Sequence, residues 1–163
     1  MNTAFLLTGG NLGDRLQNLH QAVKLIEKNC GDIISHSCIY ETAPWGFSSQ
    51  PNFYNQALCI NTLLDADNLM LALLDIENSM GRKRNVKMGP RSIDIDILLM
   101  NDMIYSSQIV TIPHPHLAER RFVLTPLAEI AGEIVHPVFN KSISELLADC
   151  KDELPVYKIS ANK

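Results

Sequence analysis

The sequence predicts an α+β fold: a ferredoxin-like βαββαβ core with an antiparallel sheet, extended by extra short strands and C-terminal helices. Three observations carry this. Apolar residues alternate with polar ones along 93–99, the period of a strand. Apolar residues recur at helical spacing in two other segments, Leu16, Leu19, Val23, Ile26 and Leu69, Leu73, Ile76, Met80. Glycine, proline and aspartate punctuate the chain so that the periodic stretches follow one another as strand, helix, strand, strand, helix, strand. That order defines the split βαβ unit, with its helices on one face of the sheet.

Taken in order, residues 3–8 read as a short buried strand, and Gly9-Gly10-Asn11-Leu12-Gly13-Asp14 turns the chain into a helix over about 14–29. Gly31 can end that helix. Residues 33–41 read as a strand, 42–52 as a loop rich in proline, glycine and serine, and 53–63 as a second strand. Asp65 or Asp67 caps the next helix, and Gly81 stops it. A basic loop covers 82–91 and a strand covers 92–100. Short strands are expected near 103–105 and 109–112, then a loop rich in histidine and proline. Thr125-Pro126 reads as a cap and a helix-starting proline, with Gly132 at the far end. A last helix opens on the capping box Ser142-Ile143-Ser144-Glu145. We expect a single domain over 1–163, with 160–163 as a loose tail.

The 163 residues suffice for a sizeable core. A net charge of −4 argues against a general nucleic-acid binder, whose surface would be basic. No apolar run approaches the roughly 18 residues of a membrane span, and the first residues lack the charged and apolar regions of a signal peptide. Cys30, Cys38, Cys59 and Cys150 form no Cys-x-x-Cys pair, which disfavours structural zinc. The expectation is a cytoplasmic protein with free thiols, without nucleic-acid or membrane partners.

The chemistry concentrates in Gly89-Pro90-Arg91-Ser92-Ile93-Asp94-Ile95-Asp96-Ile97-Leu98. Ile93, Ile95, Ile97 and Leu99 would be buried on one face, leaving Asp94 and Asp96 on the other. Residues two apart on a strand lie roughly 6.5–7 Å apart, so the two carboxylates repel unless a cation lies between them. A hard cation such as Mg²⁺ suits oxygen donors. Arg82, Lys83, Arg84, Lys87 and Arg91 place five positive charges within ten residues just upstream. Acids that hold a metal beside bases that hold an anion point to a metal–polyphosphate site.

A second constellation is aromatic. Thr42-Ala43-Pro44-Trp45-Gly46-Phe47 and Gln50-Pro51-Asn52-Phe53-Tyr54-Asn55 could form a pocket for a flat polar ring, or a minor core under a long loop. His114-Pro115-His116 could bind phosphate, backbone or a transition metal, and Arg120-Arg121-Phe122 adds cations and another aromatic. His20, His36 and His136 read as structural or surface residues. A P-loop, a dinucleotide fingerprint and a nucleophile elbow are absent. A dinuclear hydrolase using Asp94, Asp96, His114 and His116, or a nucleotide-sensing module, are the rival readings.

Together these residues resemble the 6-hydroxymethyl-7,8-dihydropterin pyrophosphokinases of folate biosynthesis. The resemblance runs from Gly9–Asp14 to Leu-x-Pro-Leu-x-Glu-Ile-Ala at 124–131, and includes Tyr40–Pro44, Gln50–Asn55, Gly81-Arg82-x-Arg84 and Pro113-His114 through Arg120 and Phe122. It implies transfer of pyrophosphate from ATP to the pterin hydroxymethyl group with release of AMP, assisted by two Mg²⁺ ions. By resemblance, Asp94 and Asp96 are the metal ligands and join Arg82 and Arg91 as the catalytic set. The pterin would meet Thr42, Ala43, Pro44, Trp45, Phe53, Asn55, Asp94 and Phe122, with Phe53 and Phe122 as the stacking pair. ATP would meet Leu74, Glu77, Arg82, Arg84, Lys87, Arg91, Ile97, Thr111, His114 and Arg120. The segment 82–91, bracketed by Gly81 and Gly89, would close as a lid. Met88, Trp45, Pro115, Asn85 and Phe53 depart from the commonest family pattern. A monomer binding pterin and ATP is expected.

Overall fold

The computed structural model describes residues 1–45, 49–81 and 90–159. Strand β1 (Asn2–Gly10) lies between β5 (Asp94–Met100) and β4 (Phe53–Thr62), both antiparallel to it. β2 (Asp32–His36) and β3 (Tyr40–Thr42) both pair with β4, and β8 (Val156–Lys158) adds to the edge of β3. This is the strand order expected of the βαββαβ unit, with its third element divided into β2 and β3. A separate hairpin joins β6 (Tyr105–Ser106) and β7 (Thr111–Ile112).

Helices α1 (Arg15–Asn29) and α2 (Ala66–Ser79) cover one face. Leu19, Ile26, Leu69 and Leu73 pack there against Leu6, Leu58, Ile60 and Ile95. Helices α3 (Arg121–Ala131) and α4 (Ile143–Asp149) cover the other, where Leu124, Leu127 and Ile143 meet Phe5, Leu7, Ala57 and Leu98. The helices that extend the core therefore make a third layer. The Asp14 and Asp65 carboxylates accept the capping N–H groups of Gln17 and Asn68. Both bonds of the capping box of Ser142 and Glu145 are present.

Four expectations need correction. The strand expected over 33–41 is broken at Ser37, Cys38 and Ile39. Ser37 is buried, and its hydroxyl takes the Ala57 N–H that a continuous ladder would have bonded to backbone. From His36↔Leu58 to Tyr40↔Asn55, one strand advances four residues and the other three. The extra residue brings Tyr40 and Thr42 to the face that carries Asn55. A similar slip in β5 pairs Phe5 with Leu99 but Leu6 with Ile97. Leu98 is the additional residue, so Leu98 and Leu99 both enter the α3 side and Leu99 leaves the face of Ile93, Ile95 and Ile97. Helix α3 starts four residues before Thr125, with Pro126 inside it. Burial of Val123, Leu124, Pro126 and Leu127, and three bonds from Arg121 to Cys150 and Asp152, hold the first turn despite the lost helical bond. Strand β8 was not foreseen; it is short and its side chains are largely exposed, so it leaves no hydrophobic period.

Glu77 of α2 is buried, and its Oε2 accepts the Ile95 N–H at 2.7 Å. It ties the helix to β5 beside both aspartates. Glu77→Ala would leave a buried N–H without its acceptor, costing about 1–3 kcal/mol. Glu77→Gln keeps an acceptor and should cost less. Urea unfolding of the two variants tests this: equal stability of both with wild type would show that the bond contributes nothing.

Candidate active site

The site grows from the end of the three central strands. Asn55, Gly9 and Asp94 form one row across β4, β1 and β5, and Ala57, Leu7 and Asp96 form the next. All six share the α3 face of the sheet. A side chain at Gly9 would meet the Asn55 Oδ1 at 2.2 Å, so glycine there leaves room for the amide. Gly9 and Leu7 are the floor of a cleft. Thr42, Ala43, Trp45, Phe53 and Asn55 form one wall, and Arg91, Asp94 and Asp96 the other. Arg120 and Phe122 close it from the start of α3.

The polar groups of the first wall are already organised. The buried Asn55 donates from Nδ2 to the equally buried Thr42 Oγ1 at 2.6 Å. That bond orients the amide, so its carbonyl oxygen is the acceptor offered beside Gly9. Across the cleft, the Arg91 Nε lies 3.4 Å from Asp94 Oδ2, and its guanidinium carbon is 4.9 Å from the centre of the Phe53 ring. The Arg120 guanidinium carbon is 4.7 Å from the Trp45 ring centre and 5.8 Å from that of Phe122. The Arg120 Nε is buried with no hydrogen-bond partner among the described residues. Burial pulls the Arg120 pKa below its ordinary value, and the Asp96 charge opposes that shift.

A second, more open cleft meets the first at Asp96. It runs between the α2 residues Met70, Leu71, Leu74 and Asn78 and the 107–111 turn, and also takes in Ile97, Thr111, His114 and Pro115. Burial, followed by the Arg120 charge, lowers the His114 pKa to about 4. The imidazole is therefore neutral near pH 7. Its Nδ1 accepts the His116 N–H at 3.2 Å, so the ring proton sits on Nε2 and that nitrogen is a donor.

The structure thus brings together Thr42, Ala43, Trp45, Phe53, Asn55, Arg91, Asp94, Asp96, Arg120 and Phe122 in one cleft, and Leu74, Ile97, Thr111 and His114 in the other. Pro44 does not line the first. Glu77 does not line the second: its bond to Ile95 makes it a brace for β5. Arg82, Arg84 and Lys87, and the lid expected over 82–91 up to Gly89, lie outside the described residues, as does the expected tail at 160–163. His116 turns to Glu119, with its Nδ1 3.2 Å from the carboxylate, on an exposed turn. Among the described residues no three His, Cys, Asp or Glu side chains converge as a metal site. The position of His116 removes one ligand from the dinuclear-hydrolase reading. Sequence reasoning missed Leu7 and Gly9, which contribute a floor without distinctive chemistry, and Met70, Leu71 and Asn78, which look like ordinary helix positions. His136 proves structural, accepting the N–H groups of Val138 and Phe139.

The donor set fits Mg²⁺. Asp94 and Asp96 present hard oxygens on one face of β5, in the same cleft as Arg91 and Arg120. Two carboxylates leave most of an octahedral shell to phosphate oxygens and water, as this ion prefers.

Comparison with known proteins identifies the family. A profile of the family described as 7,8-dihydro-6-hydroxymethylpterin-pyrophosphokinase (HPPK) matches residues 5–132. The 2-amino-4-hydroxy-6-hydroxymethyldihydropteridine pyrophosphokinase of Aquifex aeolicus is 39% identical over 145 residues, covering 89% of this chain and 90% of that protein. The protein of the same name from Bacillus subtilis is 42% identical, over 82% of this chain and 80% of its own length. The folic acid synthesis protein fol1 of Schizosaccharomyces pombe is 39% identical over 93% of this chain, which spans 20% of that longer protein. The crystal structure of wild-type Plasmodium falciparum HPPK-DHPS with pteroate shares the fold, with a TM-score of 0.76 at 20% identity, over 91% of this chain and 42% of that one. With matches of this extent from both profile and full-length relatives, the chain belongs to the 7,8-dihydro-6-hydroxymethylpterin-pyrophosphokinase family.

Proposed function

We infer that the chain transfers pyrophosphate from ATP to 6-hydroxymethyl-7,8-dihydropterin, giving the pterin pyrophosphate ester and AMP, in folate biosynthesis. The observation that carries this reading is the meeting of two clefts of different chemistry at Asp96. One has aromatic walls and a fixed amide, suited to a flat heterocycle. The other is more open, lined by apolar residues of α2, the 107–111 turn and His114, and it meets the arginine-bearing first cleft at Asp96.

In this reading Asn55 and Thr42 hydrogen-bond the pterin edge, while Phe53 and Phe122 take its faces. The hydroxymethyl group then points toward Asp94 and Asp96. Its oxygen forms a bond to the β-phosphorus, the bond from that phosphorus to the α–β bridging oxygen breaks, and AMP leaves. The hydroxyl proton passes to the Asp94 carboxylate as the new bond forms, and from there to solvent. Arg91 and Arg120 neutralise phosphate charge, and His114 donates from Nε2 without adding charge of its own. Asp94 and Asp96 would hold two Mg²⁺ ions, which neutralise the triphosphate and orient it. The protein's contribution is positioning and electrostatics in a site that limits water. Arg82, Arg84 and Lys87 remain proposed phosphate contacts, and Leu74, Ile97 and Thr111 proposed nucleotide contacts. A monomer of one domain in a reducing cytoplasm remains part of this proposal, and four free cysteines are in keeping with that compartment. Among the described residues no helix is long and apolar enough to cross a membrane. Incubation with ATP, Mg²⁺ and the pterin alcohol should give AMP and pterin pyrophosphate in equal amounts. ATP breakdown independent of pterin would overturn the assignment.

Three further outcomes follow from the geometry. Asn at position 94 or 96 keeps the shape but removes a charged ligand, so turnover should fall roughly 10²–10³-fold, equivalent to about 3–4 kcal/mol. Unchanged turnover and Mg²⁺ dependence in both variants would dismiss the metal role. Phe53→Ala and Phe122→Ala each remove stacking of about 1–3 kcal/mol and should weaken pterin binding roughly ten- to hundred-fold. Calorimetry should show ATP affinity nearly intact; equal losses for both ligands would indicate disrupted folding. The third concerns pH. His114 has a folded pKa of about 4 against an ordinary 6.5. The unfolded chain therefore binds more protons between these values, and this contribution to stability is complete above about 6.5 and is lost as pH falls toward 4. Ligand-free wild type should lose more stability from pH 7 to pH 4.5 than His114→Gln, as measured by urea unfolding. Identical losses would mean that His114 is not held neutral.

A further inference from the structure

Asn11 lines neither cleft, yet every hydrogen-bonding atom of its side chain is committed to a segment that builds the first one. It is buried. Its Oδ1 accepts the Arg91 N–H at 2.9 Å. Its Nδ2 donates to the Gln50 Oε1 and to the Pro51 carbonyl, each at 2.9 Å. Its backbone N–H and that of Leu12 both donate to the Arg91 carbonyl, at 2.8 and 3.2 Å. Gly10 makes this approach possible, because a side chain there would lie 2.1 Å from the Ser92 carbonyl oxygen. Residues 50–51 lead directly into Phe53 and Asn55. Arg91 precedes Asp94 and Asp96 on the opposite wall.

We propose that Asn11 is a positioning residue for pterin, holding the loop that supplies the ring-binding wall at a set distance from the arginine–aspartate wall. The two ends of this strap are unequal. Without the Asn11 side chain, Arg91 still keeps two backbone bonds through its carbonyl. Residues 50–51 lose both of their bonds to this position, and the neighbouring bond from Arg15 to the Asn52 carbonyl at 3.0 Å remains. Loosening therefore falls on the pterin side and leaves the nucleotide side in place. An aspartate at 11 keeps an acceptor for the Arg91 N–H. The Gln50 amide can flip to donate to it, but the Pro51 carbonyl then faces a carboxylate.

The test is steady-state kinetics of the full chain with ATP, Mg²⁺ and the pterin alcohol. Asn11→Ala should raise the pterin KM about tenfold or more and leave the ATP KM within about twofold of wild type. Asn11→Asp should show the same asymmetry with a smaller rise, a partial rescue that general destabilisation would not produce. If the alanine variant fails to fold, the aspartate variant carries the test alone. An unchanged pterin KM in the folded variants, or equal rises for both substrates, would overturn the proposal. The inference rests on the pyrophosphokinase reading for the identity of the ligands. Wild-type turnover in the same assay separates the two, because it tests that reading independently of any variant.

Discussion

Two carboxylates side by side on one strand face constrain everything around them. At roughly 7 Å and an effective dielectric near 20, Asp94 and Asp96 repel by on the order of 2 kcal/mol. The fold compensates from several directions. Arg91, three residues before Asp94, reaches back to its carboxylate. Arg120 arrives from the start of α3, where the charge of Asp96 opposes the effect of burial. Glu77 stiffens the strand from the other face through the Ile95 N–H. The repulsion is thus offset by the two arginines, and a bound cation extends the same compensation, whereas Glu77, itself a carboxylate, only fixes the strand.

The parts of the fold legible in the sequence were those controlled by local chemistry. Asp14, Asp65 and the Ser142–Glu145 box announce helix starts because their side chains bond the first turn itself. The alternation through Asp94 and Asp96 announces its strand for a similar reason. Leu98 and Ser37 are different, because nothing local marks them as the places where a strand slips against its partner. A bulge is a property of two strands, and the partner is remote in sequence. Pro126 misled in the opposite sense: proline favours a first helical position, but packing of Leu124 and Leu127 and the bonds of Arg121 carried the helix past it.

The site divides in the same way. Groups whose chemistry is unusual in their setting, such as paired acids, clustered arginines and aromatics in a polar loop, stood out in the chain. Leu7 and Gly9 did not, since a floor needs only shape. Glu77 remains a proposed nucleotide contact, and its burial against Ile95 could not be read from a helical position alone. Asn11 belongs to a turn visible in the sequence, but the segments it joins, 50–51 and 91, lie 39 and 80 residues away.

The buried polar groups also divide by whether their needs are met within the chain. Asn55 bonds to Thr42, Asn11 to three acceptor or donor groups, and Glu77 to Ile95. These rigidify the walls, because breaking any one exposes a desolvated partner. Arg120 differs: its Nε is buried without a hydrogen-bond partner among the described residues, while Trp45 and Phe122 offer ring faces to its guanidinium. Aromatic faces attract the cation but accept no conventional hydrogen bond, so the desolvation cost is offset only in part. His114, in the adjoining cleft, avoids that cost by remaining neutral, and still offers an N–H. In the proposed reading, an anion would gain a charge-assisted bond from Arg120 and a donor from His114 without a further cation being buried. Asn55, Asn11 and Glu77 thus fix their segments through bonds within the chain, whereas the Arg120 Nε has no such bond among the described residues. That difference separates the groups that hold the site's shape from those whose stabilisation depends on ligand.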